Sequence, residues 1–307
     1  MQAQNIDSFH TWAQELRQRF ETVADLALRP HNSHLLGLSE AMRYSVLNGG
    51  KRVRALFVYA AGHISQATLT VLDEVALAVE FVHAYSLIHD DLPCMDNDIL
   101  RRGKPTCHVQ FGEAQAMLAG DALQPEAFLR LCNVDLPAQQ RIELVHELSY
   151  ASGIDGMCGG QMIDLSNVGK RLDIETLKQM HLLKTGALIS AAVKMGALCG
   201  HHELYEPAKE HLEDYAMNLG LGYQVVDDIL DVTSDTATLG KTAGKDESAA
   251  KPTYVSILGL EEAKALASRC REQALHALAC IEDKGVSPRG STQRLAALAD
   301  YVIGRSY

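Results

Sequence analysis

Apolar residues recur at helical spacing along most of the chain, most clearly in VLDEVALAVEFVHAYSLIH (71 to 89), RIELVHELSYASG (141 to 153) and EDYAMNLGLGYQVVDDILDV (213 to 232). Alternating stretches of the kind that build half-buried strands are nearly absent, so the pattern predicts an all-α protein. The helical runs break at PHNSH (30 to 34), at LNGG (47 to 50), around Pro93, from Gly103 to Pro105 and at VDLP (134 to 137), where glycine and proline punctuate the chain. One interruption, SDTATLGKTAGKDESAAKP (234 to 252), is longer than an ordinary connector and carries Lys241, Lys245 and Lys251. Loops of that length in compact domains are commonly functional, and its lysines suit a lid over a bound anion.

Composition narrows this picture. With 47% apolar residues, only 8 prolines and no Ser/Gly-rich linker, a single domain over residues 1–307 is expected. The 7 cysteines, an odd number without a CxxC pair, suggest neither a disulfide framework nor a zinc site. They are expected as buried thiols in a reducing cytoplasm. The N-terminal stretch lacks an apolar signal core and no long uncharged apolar run occurs, so a cytoplasmic protein without a membrane span is expected. A net charge of -11 argues against nucleic acid as a partner, because polyanion binding needs a basic face. An anionic substrate must then meet local basic clusters.

The candidate chemistry is concentrated in two acidic stretches. HDDLPCMDNDILRR (89 to 102) packs Asp90, Asp91, Asp96 and Asp98 together after an apolar helix, and DDILD (227 to 231) does the same further on. Like charges this close are costly unless a cation, a proton or solvent relieves them. Pro93 biases Leu92 away from helical backbone, so the first helix should end there and let Asp96 fold back toward Asp90. In the second stretch Gln224, Asp227 and Asp231 are spaced to share one helix face, with Asp228 pointing elsewhere. Carboxylates with open positions suit Mg²⁺, which takes one or two of them together with waters and phosphate oxygens. Two such half-sites would hold a metal-bound diphosphate.

Other motifs fail on spacing. An EF-hand starting at Asp96 needs Gly and Glu where Arg101 and Cys107 stand, and LGKT (239 to 242) lacks the earlier glycine of a phosphate loop, which falls on Asp235. Gly153, Gly156, Gly159 and Gly160 follow no strand and are expected in close helix packing. Counter-charge comes from NGGKRVR (48 to 54), where two glycines precede a helix start and Lys51 and Arg54 would share a face as a phosphate cradle. Arg101 and Arg102, read as neighbours on one helix, would point about 100° apart and serve two anions, unless they pair with Asp96 or Asp98.

LIHDDLPCMDNDILRRGKPTCH, GGKRVR, LAGDALQ, GMCGGQMIDL, KTGALI, YQVVDDILD and LGKTAGKD, in this order, resemble the trans-isoprenyl diphosphate synthases, the bacterial short-chain enzymes in particular. The likeness runs nearly to the C-terminus. It implies a large helical bundle with a central apolar channel, a homodimer, and three Mg²⁺ ions per active site. It places metal ligands at Asp90 and Asp96 with Asp91 in support, and at Asp227 with Asp228 and Asp231 nearby. Arg101, Lys184, Gln224 and Lys241, with Thr185 beside them, match positions that hold the allylic diphosphate, and Lys51, Arg54, His83 and Arg102 match the isopentenyl diphosphate site. Tyr85, five residues before Asp90, matches the aromatic that limits product length in farnesyl diphosphate synthases. Ala55 and Asn97 depart from the family pattern without touching a matched ligand. The implied reaction condenses isopentenyl diphosphate with dimethylallyl and geranyl diphosphate to farnesyl diphosphate. Geranyl or geranylgeranyl products are the alternatives, whereas a terpene cyclase is disfavoured by DDILD and a non-catalytic partner subunit by the presence of both acidic motifs.

Overall fold

The computed structural model of the protein describes residues 2–30, 32–170, 172–233, 252–285 and 287–304. The chain folds into two compact units, one made of residues 1–59 with 69–145 and the other of residues 60–68 with 146–307. Helices dominate both. Among the described residues the only strands are β1 (Leu100–Arg101) and β2 (Lys104–Pro105), an antiparallel pair with Leu100 opposite Pro105. No helix among them is long and apolar enough to cross a membrane.

The first unit is organised on α4 (Leu69–Asp90), against which α1 (Gln2–Ala27), α2 (Leu36–Val46) and α6 (Glu113–Asn133) pack. The sequence of α4 is apolar on nearly every side, and correspondingly it is buried on nearly every side. Its buried Asp73 is satisfied by the Arg19 guanidinium and by the Tyr59 hydroxyl at 2.8 Å, which ties α1 to α4. Helix α4 ends at Asp90, and the backbone N–H of Asp96 donates to the Asp90 carbonyl at 2.9 Å. The fold-back expected from Pro93 is therefore present.

Two local expectations are corrected here. Helix α3 (Val53–Gly62) begins after Lys51, so Lys51 and Arg54 do not share a helix face. The preceding turn instead passes through positive φ at Gly49, Gly50 and Arg52. Arg101 and Arg102 are not helical neighbours either: Arg101 ends β1 and Arg102 opens the tight turn of the hairpin with φ 53. Hairpin geometry requires positive φ there, and the run Arg102-Gly103 supplies it.

The second unit is organised on α12 (Lys209–Thr233). It packs against α10 (Ala187–Leu198), α13 (Tyr254–Leu258), α14 (Leu260–Asp283) and α15 (Gln293–Ile303). Also against it lies a single π-helical turn, Leu182–Gly186, that continues α9 (Ile174–His181). Glycine permits two of these approaches. A Cβ on Gly220 would lie 2.8 Å from the Cα of Gly186, and one on Gly160 of α8 (Met157–Ser166) would lie 2.2 Å from the Lys184 nitrogen. Of the four glycines expected in helix packing, Gly160 fills that role, whereas Gly153, Gly156 and Gly159 abut carbonyls of their own turn. The cysteines are free thiols; Cys107, Cys199 and Cys270 are buried as expected, but Cys94, Cys132 and Cys158 are exposed.

Candidate active site

In the first unit the acidic motif follows the last turn of α4. Asp90 is half-buried, Asp96 is exposed and Asp91 is buried. Asp91 does not face solvent because Arg101 from β1 takes both of its oxygens, with Nε at 3.0 and 2.8 Å. Burial raises the Asp91 pKa and the Arg101 guanidinium opposes that rise. The hydrogen-bonded partner of Arg101 is thus Asp91, and the charges of Asp98 and Asp90 act on it as well. A fork of this kind orients the guanidinium as well as neutralising the carboxylate, leaving Asp90 and Asp96 as the more accessible pair.

Beside this motif the basic residues converge on one imidazole. His83, two turns before Asp90, is held neutral well below the usual histidine range, first by burial and then by Arg54, Arg102, Arg101 and Arg52. Arg102 reaches back to the Gly49 carbonyl and lies over Gly50, where a Cβ would fall 2.6 Å from its Nη1. Of these four arginines, Arg101 is already forked on Asp91 and Arg52 is paired with Glu21 and Glu80, so Arg54 and Arg102 leave this corner basic beside an uncharged ring. Arg52 is the member that sequence reading missed. It is buried, adopts φ 50, and sits between the Phe20 ring at 5.3 Å and the carboxylates of Glu21 and Glu80 at 3.8 and 3.7 Å. Left-handed backbone at a non-glycine residue costs about 1–3 kcal/mol and persists only where the surroundings fix it. Glu80 does so from both sides of the turn, since it also accepts from the Ala55 N–H at 3.2 Å. The available signal was a lone acid in the apolar run of α4, three residues before His83.

In the second unit the π-helical turn carries Lys184 and Thr185. Such one-turn bulges recur at functional sites because they re-aim side chains that a regular helix would stack. Lys184 Nζ pairs with Asp164 of α8 at 2.6 Å, and the Thr185 hydroxyl donates to Gln224 Oε1 at 3.5 Å. Gln224 in turn donates to Asp228 Oδ1 at 3.1 Å, and the other Asp228 oxygen accepts the Tyr254 N–H at 2.8 Å. Asp228 is therefore buried between α12 and the start of α13. Asp231 is buried too, with Oδ1 lacking a hydrogen-bond partner, while Asp227 is half-buried. Asp164, His181 and Tyr254 were not anticipated as part of this polar cluster. Asp164 lay in the quoted block GMCGGQMIDL; the other two carry no signal at sequence level. Lys241 and the segment around it lie outside the described residues.

The donor set fits Mg²⁺. Among the described residues no three acidic, histidine or cysteine side chains converge as a closed cage. Asp90 and Asp96 in one unit, and Asp227 with the unpartnered Asp231 oxygen in the other, offer hard oxygens in ones and twos. That is the number Mg²⁺ takes from protein when water and phosphate complete its shell.

Known proteins are similar to this chain over most of its length. It is 50% identical over 270 residues to the farnesyl diphosphate synthase of Escherichia coli, an alignment covering 87% of this chain and 89% of that one. The fold is similar to an FPP/GFPP synthase from Zymomonas mobilis, with TM-score 0.83, 35% identity and coverage of 97% and 99%. It is also similar to a geranyltransferase from Helicobacter pylori complexed with magnesium and isoprenyl diphosphate, with TM-score 0.81, 34% identity and coverage of 98% of both chains. The model of the polyprenyl synthetase family matches residues 37–284, a span that contains both acidic motifs and every described side chain of the two half-sites, so the chain belongs to that family.

Proposed function

We propose that the protein is a prenyltransferase that condenses isopentenyl diphosphate with dimethylallyl and then geranyl diphosphate to give farnesyl diphosphate. The observation that carries this reading is the basic receptor beside the first acidic motif, where Arg101 forks on Asp91 and Arg102 folds back over Gly49 and Gly50, with Asp90 and Asp96 left accessible. A diphosphate is the ligand such a receptor fits, and carboxylates at the end of α4 suit the cations that accompany one. The half identity to the Escherichia coli farnesyl diphosphate synthase supports the product.

Mg²⁺, three ions by family expectation, would supply Lewis acidity toward the diphosphate leaving group when bound. Asp90 and Asp96, with Asp227 and Asp231, would hold these ions, while Asp91 and Asp228 act through the neighbours they orient. Lys184, Arg101, Gln224 and Lys241, with Thr185, bind the allylic diphosphate. Lys51, Arg54, His83 and Arg102 bind isopentenyl diphosphate. A neutral His83 donates one hydrogen bond to that diphosphate without adding charge to a crowded basic cluster. Fixed donors aimed at the leaving group lower the barrier because they need no reorganisation as charge builds. Isopentenyl diphosphate attacks the allylic carbon through its double bond, and the proton lost afterwards passes to the released diphosphate. Tyr85, buried in the last turns of α4, ends the pocket for the growing chain.

Residues 1–307 are taken as one domain, a reading supported by the single family match over residues 37–284. We take the protein as a homodimer joined through α6, where Met117, Leu118 and Leu129 are exposed.

The test is to incubate the pure protein with dimethylallyl and isopentenyl diphosphates and Mg²⁺ and to measure product length. Fifteen-carbon product is expected, activity should vanish with chelator and return with Mg²⁺, and Asp90→Ala or Asp227→Ala should lower turnover on the order of 100-fold or more. Full turnover in chelator, or in either folded variant, overturns the metal assignment.

A further inference from the structure

His89 occupies the last turn of α4, four residues after Tyr85, so the two rings share a helix face. They meet edge to face, with centroids 5.8 Å apart and planes at 70°. On its other side the imidazole lies across Gly120 of α6. A Cβ at position 120 would fall 2.1, 2.4 and 2.9 Å from Nε2, Cδ2 and Cε1, so the ring fills the space that any other side chain would claim. Nε2 is 3.2 Å from the Met117 carbonyl, which can only accept, so this nitrogen carries the proton and donates it. Asp121 Oδ1 stands 3.9 Å from the same atom. Shape and the backbone carbonyl thus hold the ring against α6, and the buried Tyr85 packs against the ring.

We propose that His89 and Gly120 form a brace behind Tyr85 that sets product length. The slot at Gly120 fixes the imidazole, the imidazole fixes the phenol ring, and the phenol ring stops the growing chain. His89 is a positioning residue and Gly120 the space that lets it work; neither is assigned to the metal or to a diphosphate. The proposal rests on the reading of Tyr85 as the end of the pocket. An edge-to-face pair biases a side-chain equilibrium roughly two- to tenfold, and loss of the brace should raise the ratio of twenty- to fifteen-carbon product by a similar factor.

The experiment compares product lengths of wild type, Tyr85→Ala, His89→Ala, Gly120→Ala and the double variant His89→Ala/Gly120→Ala, with isopentenyl diphosphate in excess and folding checked by circular dichroism. Both single variants at 89 and 120 should make longer product while their Mg²⁺ activation curves follow wild type, which separates a displaced Tyr85 from a disturbed Asp90. The double variant should match His89→Ala, since the new methyl group has no ring to displace. If Tyr85→Ala lengthens the product but neither His89→Ala nor Gly120→Ala does, the brace is refuted and the role of Tyr85 stands. If Tyr85→Ala is active with unchanged product, both fail. Should Gly120→Ala not fold, His89→Ala decides alone, because it only removes atoms.

Discussion

Burial of His181 beside Tyr254, with ring centroids 5.4 Å apart, keeps its imidazole uncharged. Desolvation pushes its pKa down to about 3 against the pull of Asp164. In the unfolded chain the same group titrates near 6.5, so on acidification the unfolded state takes up the proton first. The stability that the neutral ring contributes is complete above about pH 6.5 and is lost as pH falls toward the folded value, at about 1.4 kcal/mol per pH unit. His83 shifts in the same direction. Urea unfolding followed between about pH 7 and about pH 5 should therefore show falling stability, and His181→Phe should remove about one proton's share of the slope. An unchanged slope in that variant contradicts the assignment. At this scale the sequence was informative where chemistry is local. The turn from Asp90 to Asp96 follows from one proline, but the partner of Asp91 does not, because Arg101 meets it through a hairpin that no spacing rule announces.

Helices were the most legible elements, since their apolar positions repeat over several turns; α4 and α12 extend only a few residues beyond the stretches read from the pattern. Short departures from regularity were not legible. The hairpin strands are two residues each, too short for an alternating pattern, and the π-helical turn at Leu182–Gly186 changes the register without changing composition. That turn is gripped by glycines on two neighbours, Gly160 of α8 and Gly220 of α12. Gly220→Ala would set a methyl group against the Gly186 backbone, which cannot swing aside as a side chain can. The expected cost is ~1–3 kcal/mol of stability. Because the displaced turn carries Lys184 and Thr185, the KM for allylic diphosphate should rise while that for isopentenyl diphosphate stays near wild type. Steady-state kinetics with each substrate varied in turn checks this, and an equal rise in both would refute it.

For the whole molecule the exposed apolar residues carry the main expectation. Leu118 and Leu129 lie eleven residues apart on α6, three turns along one stripe, with exposed Pro125 between them. A stable interface buries about 1,600 Å² in total, and a stripe of this kind is a suitable centre for one. Light scattering should give a dimer mass for the wild type, and Leu118→Glu with Leu129→Glu should lower it to the monomer. Dimer mass in the folded double variant places the interface elsewhere. A net charge of -11 next to a cluster of arginines was readable at once as a demand for local anion sites, whereas the division of the chain into two compact units was not, since no linker marks it. The slot opposite His89 has a consequence for how such enzymes diverge. Every glycine codon lies one base from an alanine codon, so the missing Cβ at position 120 is a single nucleotide from being filled. A lineage could thereby change the length of its isoprenoid in one step, with every metal and diphosphate ligand inherited intact.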